Sequence, residues 1–188
     1  MKNKTTKTNI FSGILFATIA AVLATGASGC ALSVEADVPE IEVTKKDIAF
    51  AGVPIGAALG DVSMTKSFSQ KHTALELPQG LTTEVHAIGV TLTAKSGVTD
   101  FSFIHMLRLT MADEQNQATS VELINYEQPA NAAPSATLTM VSANPANALK
   151  EWMSDSAIFT IDVAGTLPTG DWSADVTMKF GGSIKYSR

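Results

Sequence analysis

A single cysteine in 188 residues rules out an intramolecular disulfide, and with it every zinc or iron–sulfur motif that needs cysteine pairs. Aromatic residues are scarce as well: two tryptophans, two tyrosines and eight phenylalanines are too few for a broad exposed stacking platform for sugars. The three histidines form no His-x-x-x-His pair, no Gly-x-Ser-x-Gly elbow is present, and no serine has a convincing base beside it. These absences point to a non-catalytic protein, and no motif calls for a cofactor or a resident metal.

What is present begins at the amino terminus. Lys2, Lys4 and Lys7 precede an apolar stretch from Ile10 to Ala24 that is interrupted only by Ser12, Gly13 and Thr18, and no acid occurs before Glu35. A basic segment followed by a short apolar segment is the pattern of a secretory signal. The apolar stretch falls short of the roughly 20 residues that a permanent membrane-spanning helix needs.

The small residues Ala27-Ser28-Gly29 lie directly before Cys30. This end of the signal resembles the lipobox of bacterial lipoprotein precursors, with Ala27 where leucine is commonest. The resemblance covers the first thirty residues. It implies cleavage after Gly29, a diacylglyceryl group on the Cys30 sulfur, acylation such as palmitate on the new amino group, and attachment to the cell envelope. Ala31 after the cysteine, by the same resemblance, favours the outer membrane where the cell has one. Two or more acyl chains hold a protein firmly to a bilayer, whereas one binds marginally.

Removal of residues 1–29 takes three lysines and no acid, leaving ten basic against eighteen acidic side chains and a net charge of −8. That balance disfavours nucleic acid and anionic lipid headgroups as partners. Three segments follow: a cleaved signal over 1–29, a lipidated and flexible tether over 30–40, and one domain over 41–188. The tether assignment rests on the acids Glu35, Asp37 and Glu40 and on Pro39, which show no clear period.

Across the domain the dominant signal is alternation with period two, the mark of half-buried strands. Its clearest instance sets Trp172, Ala174, Val176, Met178 and Phe180 against Ser173, Asp175, Thr177 and Lys179. The same pattern runs through Ala157, Phe159, Ile161 and Val163; through Ile88, Val90, Leu92 and Ala94; and through Phe101, Phe103, Leu107, Leu109 and Met111. Weaker strands are expected over 41–50, 61–71, 119–127 and 136–142. One short helix is expected from Pro145 to about Met153, capped by Asn144, with Leu149, Trp152 and Met153 on one face. About eight short strands and one helix make an all-β protein, an antiparallel β-sandwich, with a partly open barrel as the rival.

Few residues stand out as chemical. A hairpin at Lys95–Asp100 that pairs residue 94 with 101 sets His86 opposite Leu109 and His105 opposite Val90. The two rings are then offset by roughly 13 Å, too far for a shared metal. Asp171 and Asp175 read as a solvated strand end, and Trp172 reads as core. The segment 52–60, GVPIGAALG, is read first as a tight apolar turn. Its alternative is an exposed lip for a lipid or a protein, to which Val53, Pro54, Ile55 and Leu59 would contribute.

The function these observations favour is a lipid-anchored envelope lipoprotein that acts as a protein-interaction or structural module. Its partners are the membrane, through the lipid, and another envelope protein. The alternative is a carrier of a lipid or other apolar ligand, motivated by six methionines after Cys30 and by the 52–60 segment.

Overall fold

The computed structural model describes residues 33–54, 61–72, 81–142 and 146–187. They form eight strands: β1 (Ser33–Phe50), β2 (Val62–Lys71), β3 (Leu81–Ser96), β4 (Ile104–Asp113), β5 (Ser120–Glu127), β6 (Thr137–Val141), β7 (Ser156–Gly165) and β8 (Trp172–Ser187). One helix, α1 (Leu149–Trp152), lies between β6 and β7.

Two four-stranded antiparallel sheets make an all-β sandwich. The first has the order β1-β8-β3-β6 and the second β2-β7-β4-β5. Strands pair as β1 with β8, β2 with β7, β3 with β6 and β4 with β5. This is the order of one long antiparallel ribbon wrapped over itself, the jelly-roll arrangement.

Alternation produces the core directly. Trp172, Ala174, Val176, Met178 and Phe180 of β8 are buried, as are Ala157, Phe159, Ile161 and Val163 of β7. These two central strands face each other across the sandwich, with the Phe159 and Phe180 rings 6.5 Å apart. At one end Phe50 stacks on Trp172 at 4.0 Å, and Phe103 meets the same indole edge-on at 5.2 Å. Such pairs add to the burial of their area.

Several expectations are corrected. The acidic stretch before Ile41 is strand rather than tether: β1 pairs with β8 from Ser33↔Ser187 onward, and Lys185 and Lys179 bind Glu35 and Glu40 at 3.3 and 2.8 Å. The helix spans four residues, and residues 143–145, including the expected cap Asn144, lie outside the described residues. Asn147 does the tying instead, its Oδ1 accepting the backbone N–H groups of Leu149 and Val85. Trp152 is buried and Leu149 half-buried as expected, whereas Met153 is exposed.

Segment 97–103 forms no hairpin. It carries the chain from β3 in the first sheet to β4 in the second. Ile88, expected in the core row of β3, is exposed because the register with β8 shifts between Ala87 and Gly89. One extra residue there moves the following side chains to the opposite face.

Candidate interaction surface

The residues singled out in the sequence are scattered. Cys30 lies outside the described residues, as do Ile55 and Leu59. Of the lip, Pro54 is exposed but Val53 is buried, in the same core cluster as Ile48 and Phe50. Its N–H donates to the Pro168 carbonyl at 2.9 Å, and the neighbouring Gly52 N–H donates to Asp171 Oδ1 at 2.9 Å. Val53 therefore anchors the exit of β1 and contributes nothing to a lip.

Asp171 and Asp175 are more than a solvated end. Asp175 Oδ1 accepts the Asp47 N–H at 2.9 Å, and its Oδ2 lies 3.6 Å from Lys95 Nζ. Asp47 sits at φ 53 within the irregularity of β1 between Lys45 and Ile48, so Asp175 supports a bulge in left-handed backbone.

His86 and His105 occupy different sheets, not facing strands of a hairpin. His86 is paired with Gly181, while His105 Nδ1 lies 2.8 Å from Asp61 Oδ1. Gly165 of β7 lets the segments that carry Asp61 and His105 approach, paired with Val62 on one side and Ile104 on the other. A Cβ there would collide with the Phe103 carbonyl, and its φ of 153 favours glycine. The His–Asp pair is well solvated, and no hydroxyl is hydrogen-bonded to the ring among the described residues. Among the described residues, no nucleophile completes it as a triad. No group of three or more metal-ligating side chains occurs among the described residues. A recess beside Phe101, Tyr126 and Leu138 holds about 30 Å³, room for water and not for an acyl chain.

The sheet edges are more informative. Each four-stranded sheet ends in two strands whose outward N–H and C=O groups no described strand pairs. The β1 edge carries Pro39, two register shifts and left-handed Asp47. The β6 edge is five residues long. The β5 edge is shifted in register against β4 between Leu109 and Thr110. All three are interrupted or short, as protected edges are.

The edge at β2 differs. Ten consecutive residues, Val62↔Gly165 to Lys71↔Ser156, pair with β7 without a single shift. The row facing the core is Val62, Met64, Lys66, Phe68 and Gln70, of which only Lys66 is exposed. Its partner Ile161 is buried, so a lysine stands in an apolar row. Across the seam, Lys45 Nζ of β1 lies 5.9 Å from the Phe68 ring centre. On the outer face, Thr65 donates to Asp162, Ser67 shares a hydrogen bond with Thr160, and Ser69 donates to Glu114. Hydrogen bonds from Ser156 and Ser69 hold the Glu114 carboxyl below its ordinary range.

Charge is unevenly spread. Lys95, Arg108, Lys179 and Lys185 are all ion-paired. Lys45, Lys46, Lys66, Lys71 and Lys150 form no salt bridge among the described residues; Lys66 and Lys71 lie on β2, which carries no acid, whereas β1 sets Lys45 and Lys46 among Glu35, Asp37, Glu40, Glu42 and Asp47. The sequence carries one signal for this surface, the lysine that breaks the apolar row over 62–70.

The fold is a jelly-roll β-sandwich with one unbroken edge among the described strands, β2, which carries Lys66 and Lys71 and no acid. No family model and no curated protein matches the sequence. Among solved structures, one titled as the structure of infectious bursal disease virus Gx strain is similar over 81% of this chain, at 12% identity and a TM-score of 0.36. The chain spans 37% of that chain's length.

Proposed function

We propose that the protein is a lipid-anchored envelope lipoprotein, a non-catalytic module that presents its sandwich to another envelope protein. The observation that carries the reading is Ala27-Ser28-Gly29-Cys30 at the end of a basic and then apolar segment. The distance from Cys30 to the first residue of β1 adds a geometric consequence. Three residues span at most about 10 Å, so the start of β1 would stand close to the lipid headgroups, with little freedom to swing. Net negative charge keeps such a domain off an anionic surface, so attachment falls to the acyl chains. The outer membrane, where the cell has one, is the expected site.

Metabolic labelling with a palmitate analogue tests this. The wild-type chain should take the label, lose residues 1–29 and partition with membranes. Cys30→Ala should abolish labelling and accumulate the uncleaved precursor. A label-free protein, or one whose cleavage and membrane partition ignore the Cys30→Ala change, would overturn the anchor. Crosslinking in intact cells then tests the module: a reproducible envelope partner is expected, and repeated recovery of the protein alone counts against it.

A further inference from the structure

We propose that the edge of β2, which no described strand pairs, receives an extended acidic strand from a partner protein, which adds to β2 as the fifth strand of its sheet. The proposal rests on the interaction-module reading and locates the surface that reading leaves open.

Three observations converge on this edge. First, β2 offers ten residues in unbroken register, while the other edges are interrupted by bulges or limited to five residues. In an antiparallel strand every second residue turns its N–H and C=O away from the existing partner, so an unbroken edge presents a regular ladder to an added strand. Second, Val62, Met64 and Phe68 are only partly buried against the core, so an added strand would cover apolar surface that β7 leaves open.

Third, the chemistry of the edge is selective. A lysine in the core-facing row of an edge strand is a common guard against unwanted pairing, because an incoming apolar strand would bury its charge. Lys66 occupies that position, with Lys45 and Lys71 on the same flank and no salt bridge to any of them among the described residues. On the opposite face Asp162 accepts from Thr65, and Glu114 accepts from Ser69 and feels the Lys71 charge, while no described acid forms a salt bridge with Lys66. A second copy of β2 brings more lysine to the same place and is repelled. A neutral strand strands the ammonium group. A strand carrying a carboxylate in register with Lys66 satisfies it, so one residue both rejects and selects.

The test uses the whole chain in detergent with two capped octapeptides, one alternating glutamate with valine and one alternating lysine with valine. The acidic peptide should bind at least tenfold more tightly than the basic one. Lys66→Glu should weaken the acidic peptide at least tenfold, and Lys66→Gln should fall between the two. Because Lys66 is exposed, both variants should fold, which thermal melting checks. On binding, amide exchange should slow within 62–71 and at no other edge.

Equal affinity for the two peptides, indifference to both Lys66 variants, or protection confined to β1, β5 or β6 would overturn the proposal. So would a protein that dimerises through β2 by itself. Failure of the palmitate label would remove the anchor and leave the edge result intact. A lipidated protein that ignores the acidic peptide would remove the edge alone.

Discussion

Trp172 and Phe68 show two ways in which this sandwich uses an aromatic ring. Trp172 is buried, stacked on Phe50 and touched edge-on by Phe101 and Phe103, and its indole N–H has no hydrogen-bond partner among the described residues. Phe68 lies against Phe159 at 5.6 Å, the Lys45 ammonium stands 5.9 Å from its ring centre, and it stays partly exposed. The first ring is enclosed by β1 and the 97–103 segment together, and the second sits on an edge strand. Trp172 is closed in on every side, whereas the β2 flank keeps partly exposed apolar surface.

The sharpest way to break this comparison is Trp172→Ala. Replacing a fully buried aromatic by alanine costs about 3–5 kcal/mol. In a domain of this size that lowers the melting temperature by roughly 6–20 °C. Phe68→Ala should cost about 1–2 kcal/mol, because part of its surface already faces water. Paired thermal melts check the ratio; equal losses at the two sites would mean that the β2 flank is as closely packed as the Trp172 end.

A smaller effect comes from acid. Glu114 lies beside β2, bound by Ser69, and its carboxyl is held below the ordinary value of 4.5. A group whose folded pKa is depressed contributes stability that is present above its unfolded pKa and lost as pH falls through the folded value. Below pH 4.5, therefore, the tie between Glu114 and Ser69 should weaken progressively as the carboxyl protonates. Amide exchange along 62–71 should accelerate there before exchange around Trp172 does. Glu114→Gln should flatten that early step; an unchanged acid profile in the variant would assign the step to another carboxylate.

The same contrast explains what the sequence disclosed. In β7, and in β8 as far as Phe180, the alternation runs unbroken and is legible residue by residue; the continuation of β8 to Ser187 carries no such pattern. Ile88 departs from the core row because a bulge adds one residue to β3, and periodicity carries no mark of where an extra residue falls. Residues 33–40 read as a tether because an edge strand with one face in water can carry acids, and its lysine partners lie at the far end of the chain in β8. The hairpin at 95–100 failed for a related reason. Sequence neighbours usually pair, but this chain turns from one sheet to the other at that point. The edge at β2 needed both kinds of knowledge. Lys66 in an apolar row was visible, but only the strand order makes that row an edge.

The least perturbing change to the fold should be Lys66→Val, which bears most directly on how the flank is guarded. Lys66 is exposed and unpaired among the described residues, so its loss should alter stability by no more than about 0.5 kcal/mol, or roughly 1–2 °C. Valine also suits a strand better than lysine. The row is then apolar without a break from Val62 through Met64 to Phe68, with no charge to desolvate when a second strand arrives. The variant should melt like the wild type when dilute and form dimers when concentrated, whereas the wild type stays monomeric at both concentrations. Sedimentation at two concentrations decides it. A monomeric variant would show that the edge is guarded by something other than Lys66, and a dimeric wild type would show that it is not guarded at all.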